Sequence, residues 1–201
     1  LREFKDLGID IVLKEQEGWD VNKQIEAIDE LEKSGCKAFV LCSVESDLIR
    51  KKIDELTEKG YPVVLLNNDL PGSKRLCFVG PDYLKSGRVA ATMVDKCRQN
   101  TPLKILVVVG YKEHLGHKTR VEGFISELKA RRNDFEIVDV IEGKDQDIIT
   151  QQVTMKAFLA HPEINVVYMA TGSGVSGLGA AIIADAVHQR FVVACDEIYT
   201  T

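Results

Sequence analysis

The stretch Tyr61–Gly87, YPVVLLNNDLPGSKRLCFVGPDYLKSG, decides how the rest of the chain is interpreted. Pro62–Leu66 is a short apolar run, which is typical of a strand buried on both faces of a parallel sheet. The polar cluster Asn67–Asp69 follows at the carboxyl end of this strand, where open α/β sheets bind their ligands. Arg75–Val79 has the pattern of a second strand, which Gly80–Pro81 ends.

The two strands of this stretch follow each other without a helix between them, whereas strand and helix alternate in the rest of the chain. This irregularity predicts that the chain leaves one sheet for another at Gly80–Asp82. Asp82 also suits the N-cap of a helix that begins at Tyr83, because its carboxylate can accept hydrogen bonds from the first turn. We therefore predict two lobes, residues 1–81 and 82–201, each a parallel sheet flanked by helices.

Hydrophobic periodicity predicts the remaining elements of both lobes. In the first lobe, strands are predicted at Ile9–Leu13 and Ala38–Leu41, and helices through Val21–Leu31 and Leu48–Leu56. In the second lobe, strands are predicted at Leu103–Val109, Phe135–Ile141, Val166–Met169 and Phe191–Ala194, and helices through Val121–Leu128, Ile148–Leu159 and Leu178–Val187.

The composition is that of a soluble globular protein: 201 residues, 45% hydrophobic, with a net charge of −5. No basic patch suggests nucleic-acid binding, and no apolar run approaches the ~18 residues of a membrane span. Five cysteines without a C-x-x-C pair favour a reducing compartment. The chain has no signal peptide and begins at Leu1 without Met, so we interpret it as an excised fragment.

The segment Gly172–Gly177, GSGVSG, has the parts of a dinucleotide-binding fingerprint. It follows a strand and opens a helix, and Asp196 lies about twenty residues further on, as the fingerprint requires. However, the motif stands in the last strand–helix unit instead of the first. The alternative is a small, flexible loop that contacts some other ligand through its backbone amides, Thr171 and the Ser173 hydroxyl.

Other candidate residues have two interpretations each. His114 and His117 could start a metal site, but no further ligand has suitable spacing, so a solvated loop is favoured. Arg120 lies early in a helix, where a surface charge is favoured, although an arginine facing a cleft could bind hydroxyls or carboxylates. Trp19 could stack on a ligand or pack at a lobe edge. No motif pairs a nucleophile with a base, so no catalytic residue, metal or cofactor is predicted.

Several segments together resemble the effector-binding core of LacI-type transcription regulators, which has the type I periplasmic-binding-protein fold. The resemblance covers nearly all of the chain. It rests on Pro62–Asn68, Val79–Ala90, Arg120–Phe124, Leu178–Ala180 and Val192–Asp196.

The resemblance implies two lobes that close on a small ligand, usually a sugar. It implies that Arg120, in an R-x-x-G-F motif, holds sugar hydroxyls and that Asp196 is a second contact. Positions expected to face the ligand are Ser43, Asn67, Asn68, Asp82 and Tyr111, with Thr171 and Ser173 from the glycine-rich loop.

The chain also departs from that family. Asn67–Asn68 stands where the family often has Asp-Arg, so the charged clamp on a pyranose is absent. The first strand of the family fold would precede Leu1, and the later crossings between lobes would follow Thr201. We therefore expect a core truncated at both ends. A helix-turn-helix, through which the full-length protein would bind DNA, is not part of this chain.

Our first hypothesis is a cytoplasmic, homodimeric LacI-type regulator whose ligand-sensing domain binds a sugar-like effector and controls DNA affinity allosterically. The alternative is an exported sugar- or solute-binding protein of a transporter. A nucleotide-dependent enzyme that uses the Gly172–Gly177 loop is the third hypothesis.

Overall fold

The computed structural model of the chain describes residues 8–16, 18 and 20–195. The chain divides into two compact units, Leu1–Pro81 (unit 1) and Asp82–Thr201 (unit 2). Each unit has its own parallel sheet and its own hydrophobic core. The α/β fold predicted from the alternation of strands and helices is confirmed.

Unit 1 has a three-stranded parallel sheet in the order β1-β2-β3. Its elements in chain order are α1 (Val21–Lys33), β1 (Phe39–Leu41), α2 (Asp47–Glu58), β2 (Val63–Leu66) and β3 (Cys77–Val79). The Asp20 carboxylate caps α1 and the Ser46 hydroxyl caps α2, each by accepting from backbone amides of the first turn. Gly35 and Gly60, with φ of 89° and 90°, follow the ends of these helices.

The two faces of this sheet are covered differently. Phe39, Val63 and Leu65 are buried on one face, in a core that also contains residues of α1 and α2. On the other face Val40 and Val79 are 66% and 53% exposed. Strands of parallel sheets are usually buried on both faces, so this apolar face is unusual.

The strand predicted at Ile9–Leu13 is not formed. Its apolar side chains are exposed, and no strand among the described residues pairs with it. A strand needs hydrogen bonds to a neighbour, so apolar composition alone does not produce one. Lys14, just beyond the run, forms an ion pair of 2.7 Å with Glu30 of α1.

Unit 2 has a four-stranded parallel sheet in the order β5-β4-β6-β7. Its elements are α3 (Tyr83–Cys97), β4 (Leu103–Val109), α4 (Leu115–Arg131), β5 (Phe135–Glu142), α5 (Asp147–Ala160), β6 (Val166–Met169), α6 (Val175–Ala184) and β7 (Phe191–Ala194). Every residue of β6 and all but Lys104 of β4 are buried, which explains why both strands read as continuous apolar runs.

Helices α3 and α4 of unit 2 approach closely through glycine. A Cβ at Gly87 of α3 would overlap the backbone carbonyl of Arg120 in α4, and a Cβ at Gly123 would overlap that of Leu84.

Helix α6 begins at Val175, three residues before the predicted start. Gly174, with φ of 81°, occupies its N-cap and lets the chain turn into the helix there.

Candidate functional site

Strained backbone is found at the carboxyl ends of strands in both units. Asn67, Lys144 and Asp145 have φ of 64°, 51° and 55°, and they are the non-glycine residues with positive φ among those described. Asn67 follows β2 directly, and the other two follow β5 after one glycine. Such conformations cost about 1–3 kcal/mol each and concentrate at functional sites, so the strand ends are the first candidates.

In unit 1, polar side chains after β1 and β2 lie next to each other. The Asn68 amide nitrogen donates to the Ser43 backbone carbonyl at 3.2 Å, and the Asn67 side chain hydrogen-bonds the Cys42 thiol. Burial raises the pKa of that thiol in spite of the Asn67 contact. The structure therefore brings together three residues predicted to contact ligand: Ser43, Asn67 and Asn68.

The third polar residue of this cluster has an internal partner. Asp69 forms an ion pair with Arg75, with 2.7 Å between Nε and Oδ1, and Arg75 Nη2 also donates to Asp69 Oδ2 at 2.9 Å. This two-point contact spans the loop between β2 and β3. The pair neutralises the Asp69 charge. The polar groups that remain after β1 and β2 are uncharged: the Cys42 thiol, the Ser43 hydroxyl and the amides of Asn67 and Asn68.

Arg120 of unit 2 is buried, so the favoured interpretation as a surface charge is wrong. Its side chain is 5% exposed. Nη1 donates to the Ala170 carbonyl at the end of β6, at 3.2 Å, and the guanidinium carbon lies 4.8 Å from the centre of the Tyr83 ring. The carbonyl and the aromatic face explain how a cation is tolerated in this interior position.

His114 and His117 are not a solvated loop, as the sequence favours. His117 is buried, and the two rings lie 4.3 Å apart. The Tyr111 amide donates to His117 Nδ1 at 3.3 Å. Burial, followed by the repulsion of His117, lowers the pKa of His114 to about 4, so this imidazole is neutral at physiological pH.

The spacing of the two histidines and Arg120 in the sequence indicates that they share one side of a helix. His114, His117 and Arg120 stand three residues apart, which places them on one side of the start of α4. That side faces the interior, because Arg120 and His117 are both buried. The spacing would have joined the histidines to the arginine already predicted as a ligand contact.

Asp145 is a further polar residue that sequence analysis missed. Thr171 Oγ1 donates to its carboxylate at 3.0 Å, and the same carboxylate packs so closely on Gly110 that a Cβ there would overlap it. The Asp145 charge also acts on His114, whose pKa it tends to raise. Asp145 stands in a polar cluster just after a strand, the same signal that identified Asn67.

Three other predicted ligand contacts, Asp82, Tyr111 and Ser173, lie at a helix start and in loops of unit 2. Asp82 caps α3, and its Oδ1 accepts from the Lys85 amide at 2.9 Å, as predicted. Tyr111 donates from its hydroxyl to the Lys144 carbonyl at 3.4 Å. Ser173 is exposed, and its amide donates to Thr171 Oγ1 at 3.2 Å. Asp196 and Trp19 lie outside the described residues.

The glycine-rich loop does not have the environment of a dinucleotide fingerprint. A Cβ at Gly174 would overlap the Thr150 hydroxyl, and one at Gly177 would overlap the Asp147 carbonyl. The Gly177 amide donates to the Asp147 carboxylate at 3.2 Å. An amide that a pyrophosphate would need is therefore occupied by a carboxylate. These glycines instead permit close packing of α5 on α6.

A shallow, open hollow lies in unit 2 between α3 and the carboxyl end of β7. Its lining residues include Asp82, Ser86 and Cys195, but not Arg120 or Thr171. The described residues hold no group of three or more His, Cys, Asp or Glu side chains arranged to bind a metal ion. Every described helix is too short or too polar to cross a membrane.

Residues 2–198 match the family model of the periplasmic binding protein domain. The chain belongs to this family. Membership in the periplasmic-binding-protein family agrees with the type I fold implied by the sequence resemblance, and that fold is confirmed by the solved structures below.

Relatives of known sequence are longer than this chain. The periplasmic protein TorT of Escherichia coli strain K12 is 27% identical over 164 residues, which are 80% of this chain and 46% of TorT. The chain thus spans about half the length of the curated relatives it matches.

Several solved structures superpose closely on the chain. XylFII has a TM-score of 0.88 at 23% identity, covering 98% of this chain and 72% of its own. GanP, a glucose-galactose binding protein from Geobacillus stearothermophilus, has a TM-score of 0.82 at 18% identity, covering 96% and 69%. At these identities the likeness shows that the chain shares their fold.

Proposed function

We propose that the chain is the ligand-binding part of a solute-binding protein that takes a sugar or a similar polyhydroxylated small molecule. The supporting observation is the polar set at the carboxyl ends of the strands in unit 1. Buried Ser43 and Asn68, with Asn67 beside them, offer hydroxyl and amide groups instead of charges. Such groups suit sugar hydroxyls, which both donate and accept hydrogen bonds.

Unit 2 supports the same function with a different set of groups. Arg120, neutral His114 and the Asp145 carboxylate lie around the carboxyl ends of β4, β5 and β6. Structures similar to this chain include a glucose-galactose binding protein, and an arabinose binding protein from Geobacillus stearothermophilus. We extend the sugar class named for those proteins to this chain.

The test is a thermal-shift panel on the full chain with D-galactose, D-arabinose, D-ribose, NAD and AMP. At a ligand concentration of about 100 Kd, binding stabilises the folded state by about 2.7 kcal/mol, which raises the Tm by roughly 5–10 °C at this size. We expect one or more neutral sugars to produce this shift. A shift with NAD or AMP and with none of the sugars would instead favour the enzyme hypothesis.

A matched variant connects the binding to the strand ends. Asn67→Gly removes the amide but keeps a residue that tolerates φ of 64°. We expect it to weaken sugar binding about tenfold by calorimetry, which corresponds to about 1.4 kcal/mol. Asn100→Gly, in an exposed turn after α3, is the control and should leave affinity unchanged.

A cytoplasmic regulator is a second candidate because Cys36, Cys42, Cys77 and Cys97 are free thiols. Unpaired thiols are more common in reducing compartments. Identifying the start of the full-length protein distinguishes the two: a signal peptide supports the solute-binding protein, and a helix-turn-helix supports the regulator.

The homodimer expected for a regulator stays a prediction. One similar structure is a complex of XylFII with LytSN, so a separate partner protein is a further proposal for this chain.

A further inference from the structure

Two polar atoms in the interior of unit 1 lack the hydrogen bonds that buried groups normally have. Ser43 is 1% exposed and Asn68 is 7% exposed. Ser43 Oγ and Asn68 Oδ1 have no hydrogen-bond partner among the described residues. Native proteins contain few such atoms, because a buried group without a partner destabilises the folded state. Their place directly after β1 and β2 suggests that a ligand supplies the partner.

The orientation of the Asn68 amide is fixed by its neighbour. Its nitrogen donates to the Ser43 carbonyl at 3.2 Å. Rotating the amide by half a turn would place two acceptor oxygens against each other, so the reversed orientation is disfavoured. Asn68 Oδ1 is therefore the atom that is left for the ligand, and an amide oxygen can only accept. Whatever binds it must provide an O–H or N–H donor.

The groups around this oxygen add no formal charge. Burial raises the pKa of the Cys42 thiol, which therefore stays protonated near neutral pH, and Asn67 beside it is an amide. Asp69 is held by Arg75. Among these described groups of unit 1, an anionic ligand would find no free positive charge to compensate its loss of water, whereas a neutral hydroxyl that donates to Asn68 Oδ1 keeps a hydrogen bond.

We propose that Ser43 and Asn68 select the ligand by its hydrogen-bond donor. They accept an uncharged hydroxyl group and reject phosphate or carboxylate groups, which carry only acceptors at neutral pH. Ser43 Oγ, which can donate or accept, meets a second polar atom of the ligand. This inference rests on the proposed function, since it specifies which sugars bind: neutral ones, held by one hydroxyl at Asn68.

The first experiment measures the free protein. Ser43→Ala deletes the hydroxyl without a partner but keeps the carbonyl that orients Asn68. We expect the Tm of the ligand-free chain to stay the same or rise, because no hydrogen bond is lost. The control is Ser73→Ala, which should lower the Tm because Ser73 Oγ donates to the Leu70 carbonyl at 2.8 Å. A lower Tm for Ser43→Ala would show an internal partner and overturn the proposal.

The second experiment measures ligand selection by calorimetry. D-galactose, D-arabinose and D-ribose are compared with ribose 5-phosphate, galactonate and deoxyfluoro sugars, in which fluorine replaces one hydroxyl and cannot donate. We expect the charged forms to bind at least a hundredfold more weakly. At one position, fluorine should cost tenfold or more in the wild type but not in Asn68→Leu. Tighter binding of the phosphate, or no position that depends on Asn68, would overturn the proposal.

The two proposals can fail separately. If no sugar binds but an ammonium ligand such as putrescine binds and loses affinity in both Ser43→Ala and Asn68→Leu, the sugar function is wrong and the donor requirement stands. If sugars bind with equal affinity to the wild type and to both variants, the sugar function stands and the donor requirement is wrong. If none of the probes binds, both are wrong.

Discussion

Acid should destabilise unit 2 through one imidazole, that of His114. The pKa of this group is 6.5 in the unfolded chain and about 4 in the folded one, because burial and His117 disfavour its charged form. Between these values the unfolded state binds a proton that the folded state does not. Stability is therefore fully present above about pH 6.5 and is lost as the pH falls toward 4.

The size of this effect follows from the shift. One pKa unit is worth about 1.4 kcal/mol, and most of the shift lies above pH 5, so lowering the pH from 7 to 5 would remove about 2 kcal/mol. The ring is only partly buried, and screening by water reduces the expected loss to roughly 1–2 kcal/mol. The Asp145 charge tends to raise the pKa of His114, and the Arg120 charge tends to lower it. Burial and His117 are the two largest causes, and both lower the pKa.

The assay is urea unfolding of the full chain at pH 7 and pH 5. Removing the titrating ring in His114→Gln should make the loss of stability between these pH values smaller by roughly 1–2 kcal/mol. Gln99→Ala, which changes an exposed side chain of the same unit that does not titrate, should leave the loss unchanged. An equal pH dependence in the wild type and in His114→Gln would refute the reasoning.

Two further predictions concern unit 2. In urea unfolding, Gly87→Ala should destabilise the chain by about 1–3 kcal/mol, because the new Cβ overlaps the backbone of α4. Gly179→Ala is the contrasting variant, because a Cβ there meets no atom within 4 Å. It should stabilise the chain by up to about 1 kcal/mol. Arg120→Met should cost about 2 kcal/mol of stability, as well as ligand affinity, because it removes the charged hydrogen bond to Ala170. Unchanged stability would mean that the guanidinium is solvated after all.

Sequence patterns predicted the elements that neighbouring residues determine by themselves. The bounds of Val166–Met169 and Leu103–Val109 are those of β6 and β4, because buried strands are continuous apolar runs between polar ends. The apolar run Ile9–Leu13 looks the same locally, yet it forms no strand, because pairing depends on a distant segment.

The candidate site was predictable only in part for the same reason. A polar cluster after a strand identified Asn67 and Asn68, and it would have identified Asp145 had the rule been applied after β5. The burial of Arg120 could not be foreseen, because it depends on Tyr83 of α3 and a carbonyl at the end of β6. The glycines of the Gly172–Gly177 loop likewise gain their meaning from α5, which is distant in the sequence.

The glycine contact between α3 and α4 has a mechanical consequence. Gly87 and Gly123 place backbone against backbone at two points, where the helices cannot move closer together without atomic overlap. The two helices therefore transmit a displacement as one stiff body. Tyr83, in the first turn of α3, and Arg120, in α4, share that body, so a ligand that pulls on the arginine also pulls on the residue at which unit 2 begins its first helix.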